Sequence, residues 1–274
     1  MAVVADRVVG GERFLSLAFA PPGAAAPTQL ELSGPVAVGP PPTPAARHGD
    51  GHSYWKIGIT LADVDLAAAR LAAAGIETTQ PAQFEDIGYL CHLRDPDGHA
   101  IELLQHRFLA NHEPVEADPG LELGSAPTLG QITLRVADAD ASLGFYRDGL
   151  GLTLLSRQPV PRHRFTLFFL AATKDRPPLD DLDAVGNREW LWQRPYTVLE
   201  LQHRWDRSDT AYAPGRPGAM GFQGIEFAGT DALDRAARLG GQMEGAQRGA
   251  DPGERERLAL NDPDGNRVWV SGES

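Results

Sequence analysis

The sequence predicts an α+β protein built from tandem βαβββ modules, and three observations carry that expectation. First, Asp95-Pro96-Asp97-Gly98 recurs as Asp262-Pro263-Asp264-Gly265, each copy lying between two apolar segments. Proline sets φ and glycine takes a positive φ, so each copy is expected to join two antiparallel strands. Second, the segments upstream of these turns also match. Ile57 to Asp63 resembles Ile225 to Asp231, and each leads into an Ala/Leu/Arg helix that closes at Gly75 or Gly240. Third, Arg13 to Ala20 matches Arg164 to Ala171, and each runs on to a Leu-Glu-Leu strand, at 30–32 and 199–201.

These matches divide the chain into four units, at about 1 to 34, 50 to 107, 128 to 205 and 218 to 272. The first is incomplete. It begins at its second strand and lacks the opening strand and helix that Gly130 to Gly151 supply to the third. A Pro/Ala/Gly-rich stretch from Pro35 to Ala46 joins the first two units, and an acidic stretch from His112 to Gly124 separates the halves. The expected domains are therefore 1–110 and 128–274, with a linker at 111–127.

Composition narrows the function. The chain has 274 residues, 42% of them hydrophobic and 23% charged, which is ordinary for a folded globular protein. Its net charge is -12, with 25 basic against 37 acidic residues and no basic cluster, so the footprint of a nucleic-acid binder is missing. Apolar runs such as Phe165 to Ala172 are too short to span a bilayer, and Asp6 and Arg7 interrupt any signal-peptide core. A single cysteine, Cys91, excludes an internal disulfide or a Cys-rich zinc site. The expectation is a cytoplasmic protein, monomeric or homodimeric, with a small-molecule partner and neither nucleic acid nor membrane.

Strand alternation assigns each module a packing face and a polar face. In the third unit Ile132, Leu134 and Val136 alternate with Gln131, Thr133 and Arg135. In the second, Ile57, Ile59 and Leu61 oppose Lys56, Gly58 and Thr60, and Tyr89, Cys91 and Leu93 oppose Leu90, His92 and Arg94. The last strand of that unit sets Glu102 between Ile101 and Leu103. A polar row thus recurs on one face.

Several of these segments carry a family resemblance. Gly130 to Val136, Ser142-Leu143-Gly144-Phe145-Tyr146, Leu150-Gly151-Leu152, Phe165 to Ala171, the insert Lys174 to Arg194, and Leu199 to Trp205 are similar to the corresponding parts of glyoxalase I, in the vicinal oxygen chelate superfamily. The resemblance covers most of residues 128 to 272 and, more loosely, 1 to 107. It implies two curved mixed-sheet domains and a divalent metal (Ni, Zn, Mg or Mn) held by a Gln, a Glu, a His and a second Glu from paired modules.

Carried over residue by residue, the resemblance gives Gln131, Glu200 and Glu102 as metal ligands, with Glu102 the base and Glu200 its partner across the metal. Lys56 stands where the histidine ligand is expected, and His92, which should share its face, is the candidate replacement. An ammonium is no ligand, so Lys56 could instead neutralise the glutamates itself. Arg135 matches an arginine that binds the glutathione carboxylate, or it forms a salt bridge to a cleft glutamate. Arg204, where an asparagine is usual, and Thr133 complete the candidate substrate contacts. The other pair of modules keeps only Glu31, because Gly224 and Trp269 replace its His and Glu. The insert 174–194 is either a lid or a packed surface loop.

Two functions follow from this reading. One is a glyoxalase I-like, metal-dependent lyase or isomerase, with one site between the second and third modules. It would act on a small carbonyl compound or its glutathione adduct. The other is a relative that binds a small molecule without turnover, with Lys56 in place of the metal.

Overall fold

A computed structural model describes residues 1–19, 28–36, 50–207, 211–215, 221–229, 231–244 and 257–272. The first module supplies three strands, β1 (Ala2–Val9), β2 (Glu12–Ala18) and β3 (Leu30–Pro35). The second is complete: β4 (Tyr54–Leu61), α1 (Val64–Ala73), β5 (Ala82–Phe84), β6 (Gly88–Arg94) and β7 (Ala100–Gln105). The third runs β8 (Thr128–Val136), α2 (Ala139–Leu143), β9 (Thr153–Val160) and β10 (Phe165–Ala171), then an inserted helix α3 (Gly186–Trp192) and β11 (Val198–Arg204). The fourth comprises β12 (Ile225–Ala228), α4 (Ala232–Arg238), β13 (Gln242–Glu244), β14 (Arg257–Asn261) and β15 (Arg267–Ser271). This is the expected repeat.

Both Asp-Pro-Asp-Gly segments are the expected turns. Gly98 and Gly265 have φ of 91° and 87°, and their N–H groups donate to Asp95 and Asp262 carbonyls at 3.0 and 2.9 Å. Each joins an antiparallel pair, β6 with β7 and β14 with β15. Gly75 and Gly240 follow α1 and α4 at φ of 78° and 83°, the left-handed conformation that ends a helix at no Cβ cost. Asp63 caps α1, its side chain accepting from the Leu66 N–H.

The chain forms two compact units that interleave along the sequence. One comprises Met1–Arg47, Lys56–Thr133 and Arg176–Leu199, and the other His48–Trp55, Leu134–Asp175 and Glu200–Ser274. Each unit thus draws on more than one of the four repeats. Strand pairing is the reason, since β8 of the third module lies beside β4 of the second.

In the first unit β1, β2 and β3 form an antiparallel sheet. The other sheet of that unit has the order β5-β6-β7-β4 and then the start of β8, with β4 and β7 parallel. One face of it packs on α1: Ile59, Leu61, Tyr89, Cys91 and Leu103 bury against Val64, Ala67 and Ala68. Burying such side chains contributes roughly 1.5–3 kcal/mol each for the larger ones. The insert is packed, not a free loop. Arg188, Leu191 and Trp192 are buried, and the Trp192 indole N–H donates to Ile87 O at 2.9 Å.

The second unit holds the sheet β12-β15-β14-β13, with β12 and β15 parallel, and the paired strands β9 and β10. Around its turn, Tyr146 Oη donates to Asp262 Oδ2 at 2.7 Å, and Asn266 Nδ2 donates to Asp262 and Ser53. Asp264 beside it is pushed up to about 6 by burial, reinforced by the Asp262 and Asp138 charges and opposed by the Ala137 N–H. A raised carboxyl pKa means the folded state holds its proton more tightly, so this group lowers stability as pH rises from about 4 to 6. Asp264→Asn keeps the acceptor for Ala137 N–H and removes the charge. It is expected to raise unfolding free energy at pH 8 by about 1 kcal/mol, after discounting for solvent screening, and by less at pH 4. Urea titrations at the two pH values measure this, and an equal gain at both would refute it.

Candidate functional site

Register alone brings the candidate residues of the first unit together. Gly58 of β4 stands opposite Glu102 of β7, and His92 of β6 stands opposite Glu102 from the other side. Lys56 lies two residues before Gly58 and shares its face, the face turned away from α1. Lys56 and Glu102 are almost wholly buried, with side chains 4% and 5% exposed. Glu102 Oε1 accepts from Lys56 Nζ at 2.7 Å and from Gln131 Nε2 at 2.7 Å. Oε2 faces His92 Nε2 at 3.0 Å, in a contact too poorly aligned to count as a hydrogen bond.

The electrostatics follow from this geometry. Burial by itself pushes the Glu102 carboxyl up, but the Lys56 charge and then His92 outweigh it and hold the group well below the usual carboxylate range, at about 2. Glu102 is therefore an anion at neutral pH, enclosed by N–H donors.

Gln131 reaches Glu102 because Gly58 has no side chain. A Cβ at Gly58 would lie 2.2 Å from Gln131 Cγ, and in the reverse sense a Cβ at Gly130 would lie 2.5 Å from Thr60 Cγ2. Two glycines in adjoining strands thus each admit a side chain from the other. Gln131 Oε1 is buried and has no hydrogen-bond partner among the described residues. Thr133, on the same face of β8, is fully buried.

The other candidates belong to the second unit. Glu200 is buried in β11. Arg135 is 5% exposed, and its guanidinium donates to His52 O at 3.2 Å and meets Asp50 at 3.4 Å, 5.0 Å above the Trp55 ring. Among the described residues its carboxylate partner is Asp50, whose side chain is exposed. Burial lowers the Arg135 pKa, Asp50 opposes that, and the Arg204 and Arg207 charges add to it. Tyr212 feels the same arginines, and its buried hydroxyl has no hydrogen-bond partner among the described residues. Arg204 is half-exposed and ion-paired to Asp206 at 3.3 Å. This locus suits an anion.

Glu31 is exposed and ion-paired to Arg7 at 2.9 Å. Gly224 has φ of 153°, and a Cβ there would lie 2.6 Å from Trp269 Cζ3.

Sequence reasoning did not single out Gly58, Asp50, Trp55 or Tyr212. A glycine inside a strand of large residues was the available signal for Gly58. Nothing local marks the other three.

The chain belongs to the Glyoxalase/Bleomycin resistance protein/Dioxygenase superfamily, whose family model matches residues 6–103 and 128–270. Within it, the chain is similar to proteins named lactoylglutathione lyase. The lactoylglutathione lyase of Pseudomonas aeruginosa is 34% identical over 139 residues, covering 50% of this chain and 76% of that protein. That of Pseudomonas putida is 32% identical over 161 residues, covering 56% and 90%. Glyoxalase I from Zea mays shares the fold at a TM-score of 0.62 and 23% identity, over 99% of this chain and 83% of that one. The chain is accordingly glyoxalase I-like, and among its described residues no helix is long and apolar enough to cross a membrane.

Glyoxalase I enzymes are metal-dependent, so the family implies a divalent metal, and the site can be tested for its fit. Gln131 Oε1 is one available oxygen. The Lys56 ammonium and the Gln131 amide N–H, neither of which has a lone pair to offer, oppose a metal, because both donate to Glu102 Oε1 at 2.7 Å. Among the described residues no group of three or more His, Cys, Asp or Glu side chains could hold an ion. A divalent ion about 3.5 Å from the ammonium would be repelled by on the order of 10 kcal/mol at an effective dielectric constant of about 20. The residues around Glu102 do not fit a divalent metal.

Proposed function

We propose that the protein is a lyase or isomerase of the glyoxalase I kind. It acts on a small carbonyl compound or its thiol adduct, and the Glu102 carboxylate moves a proton between adjacent carbons. The convergence of Lys56, His92 and Gln131 on that buried carboxylate carries the proposal. An ion pair in an apolar interior is often no more stabilising than well-packed hydrophobic residues, so its presence points to use. Glu102 takes the proton from the hydroxyl-bearing carbon next to the carbonyl and returns it to the former carbonyl carbon, while the hydroxyl proton passes to the former carbonyl oxygen, an isomerisation with no net oxidation. The resemblance gives Arg135 as the contact for a carboxylate of the ligand and Arg204 as a further contact, and the relatives named as lactoylglutathione lyases make a glutathione adduct the first candidate. The resemblance gives Glu200 as a second carboxylate and Thr133 as a contact.

A second reading, binding without turnover, is favoured by one observation. A carboxyl held at about 2 is a weak proton acceptor. The two are separated by incubating the protein with glutathione and a 2-oxoaldehyde, following thioester absorbance, and measuring binding of the same mixture by calorimetry. Turnover is expected, and Glu31→Gln should leave it unchanged because Glu31 is exposed and paired with Arg7. Binding with no thioester formed would decide for the second reading.

A further inference from the structure

We propose that Lys56 takes the place of the divalent metal, so that the site works with a cation tethered to its own strand. The inference rests on the proposed function only for the location of the site. Its physical content is the polarity of the groups around Glu102. A metal centre surrounds a cation with lone pairs, and carboxylate, carbonyl and imidazole ligands turn those lone pairs inward. Here the pattern is inverted, because the centre is an anion and an ammonium and an amide N–H point at it, with an imidazole nitrogen alongside.

The strand register makes this arrangement stable. Lys56 is paired with Ala100, whose side chain is small, and lies two residues before Gly58 on the same face of β4. The ammonium therefore reaches Glu102 while the rest of the chain is buried at 3% exposure. Gln131 enters through the space that Gly58 leaves. The Glu102 charge is thus met by this chain's own ammonium and amide N–H.

A tethered ammonium can also serve the proton transfer. With Glu102 ionised and Lys56 charged, the pair is neutral. When Glu102 accepts a carbon-bound proton its negative charge passes to the substrate oxygen, and the Lys56 N–H can turn from the protonated carboxyl to that oxygen. The net charge of the site stays constant throughout, and the carboxylate becomes a better acceptor as its ammonium partner departs. The ligand class that suits this is a carbonyl compound whose enol or enediol oxygen can accept from an ammonium.

The test measures metal directly. Wild type, Lys56→His and Glu102→Gln are stripped with a chelator, equilibrated with Ni, Zn, Mn or Mg, and analysed for bound metal by mass spectrometry and for Tm by scanning fluorimetry. Wild type is expected to hold far less than one equivalent and to show no metal-dependent Tm. Lys56→His, which exchanges the cation for a ligand, is expected to bind at least about tenfold more tightly and to gain Tm with added metal. A wild-type protein that retains one equivalent, and loses it in Glu102→Gln, would overturn the proposal. So would a folded Lys56→His that binds no better than wild type. If Lys56→His does not fold by circular dichroism, Lys56→Ala is read instead. Without the ammonium, Glu102 should draw in a divalent ion, so its Tm should rise with metal more than that of wild type, and equal responses reject the idea. Thioester formation is assayed on the same chelator-treated wild type. Metal results as expected without turnover would sink the proposed reaction and leave this inference standing.

Discussion

Lys56→Met is expected to lower the unfolding free energy by about 3 kcal/mol at pH 7, because it leaves the Glu102 carboxylate buried without its counter-charge. Methionine preserves the length and apolar stem of the lysine, so little of the loss should come from packing. The pH dependence identifies the cause. In the wild type the Glu102 pKa is depressed to about 2, so its stabilising contribution is present above the unfolded value of 4.5 and is lost as pH falls toward 2. In the variant burial acts without opposition from Lys56. The pKa rises, and the cost grows as pH rises above the unfolded value. The difference between the two proteins should therefore be large at pH 7 and shrink toward pH 4. Urea denaturation at both values tests it. A loss that is the same at both would mean that Lys56 matters through packing alone.

What could be read from the sequence was whatever depends on local spacing. Asp95 to Gly98 and Asp262 to Gly265 declare turns by composition, and Gly75 and Gly240 declare helix ends. Alternation correctly separated Tyr89, Cys91 and Leu103, which bury on α1, from His92 and Glu102, which turn the other way. It could not show that Gly58 exists to admit Gln131, because that contact joins strands from different modules. The pairing of Arg135 with Asp50 and Trp55 has the same character. The two expected domains, 1–110 and 128–274, follow the repeat, and the compact units each draw on several separate segments of the chain. His92, the candidate replacement for the missing histidine, turns its Nε2 to Glu102 Oε2, a partner that alternation alone does not name. Which partner a polar side chain selects depends on volume and charge from distant parts of the chain, and neither has a period.

Glu102→Gln is expected to reduce kcat by roughly 100- to 10,000-fold, the range for loss of a positioned general base, with KM little changed. The substitution is nearly isosteric. Its side-chain oxygen still accepts from Lys56 and Gln131, and its amide nitrogen can donate to His92 Nε2 in the neutral imidazole. The fold should survive, with some stability lost because the Lys56 ammonium then faces an amide instead of a carboxylate. An amide cannot take a proton from carbon at neutral pH, so the chemical step fails while the space and most donors around the ligand remain. Calorimetry should accordingly find the carbonyl ligand bound with similar affinity by both proteins, and stopped-flow thioester formation should separate them. If Glu102→Gln retains full turnover while folded, Glu102 is not the base and the proton must pass through another group. If turnover and affinity fall together, Glu102 acts by holding the ligand, and its role is binding rather than proton transfer.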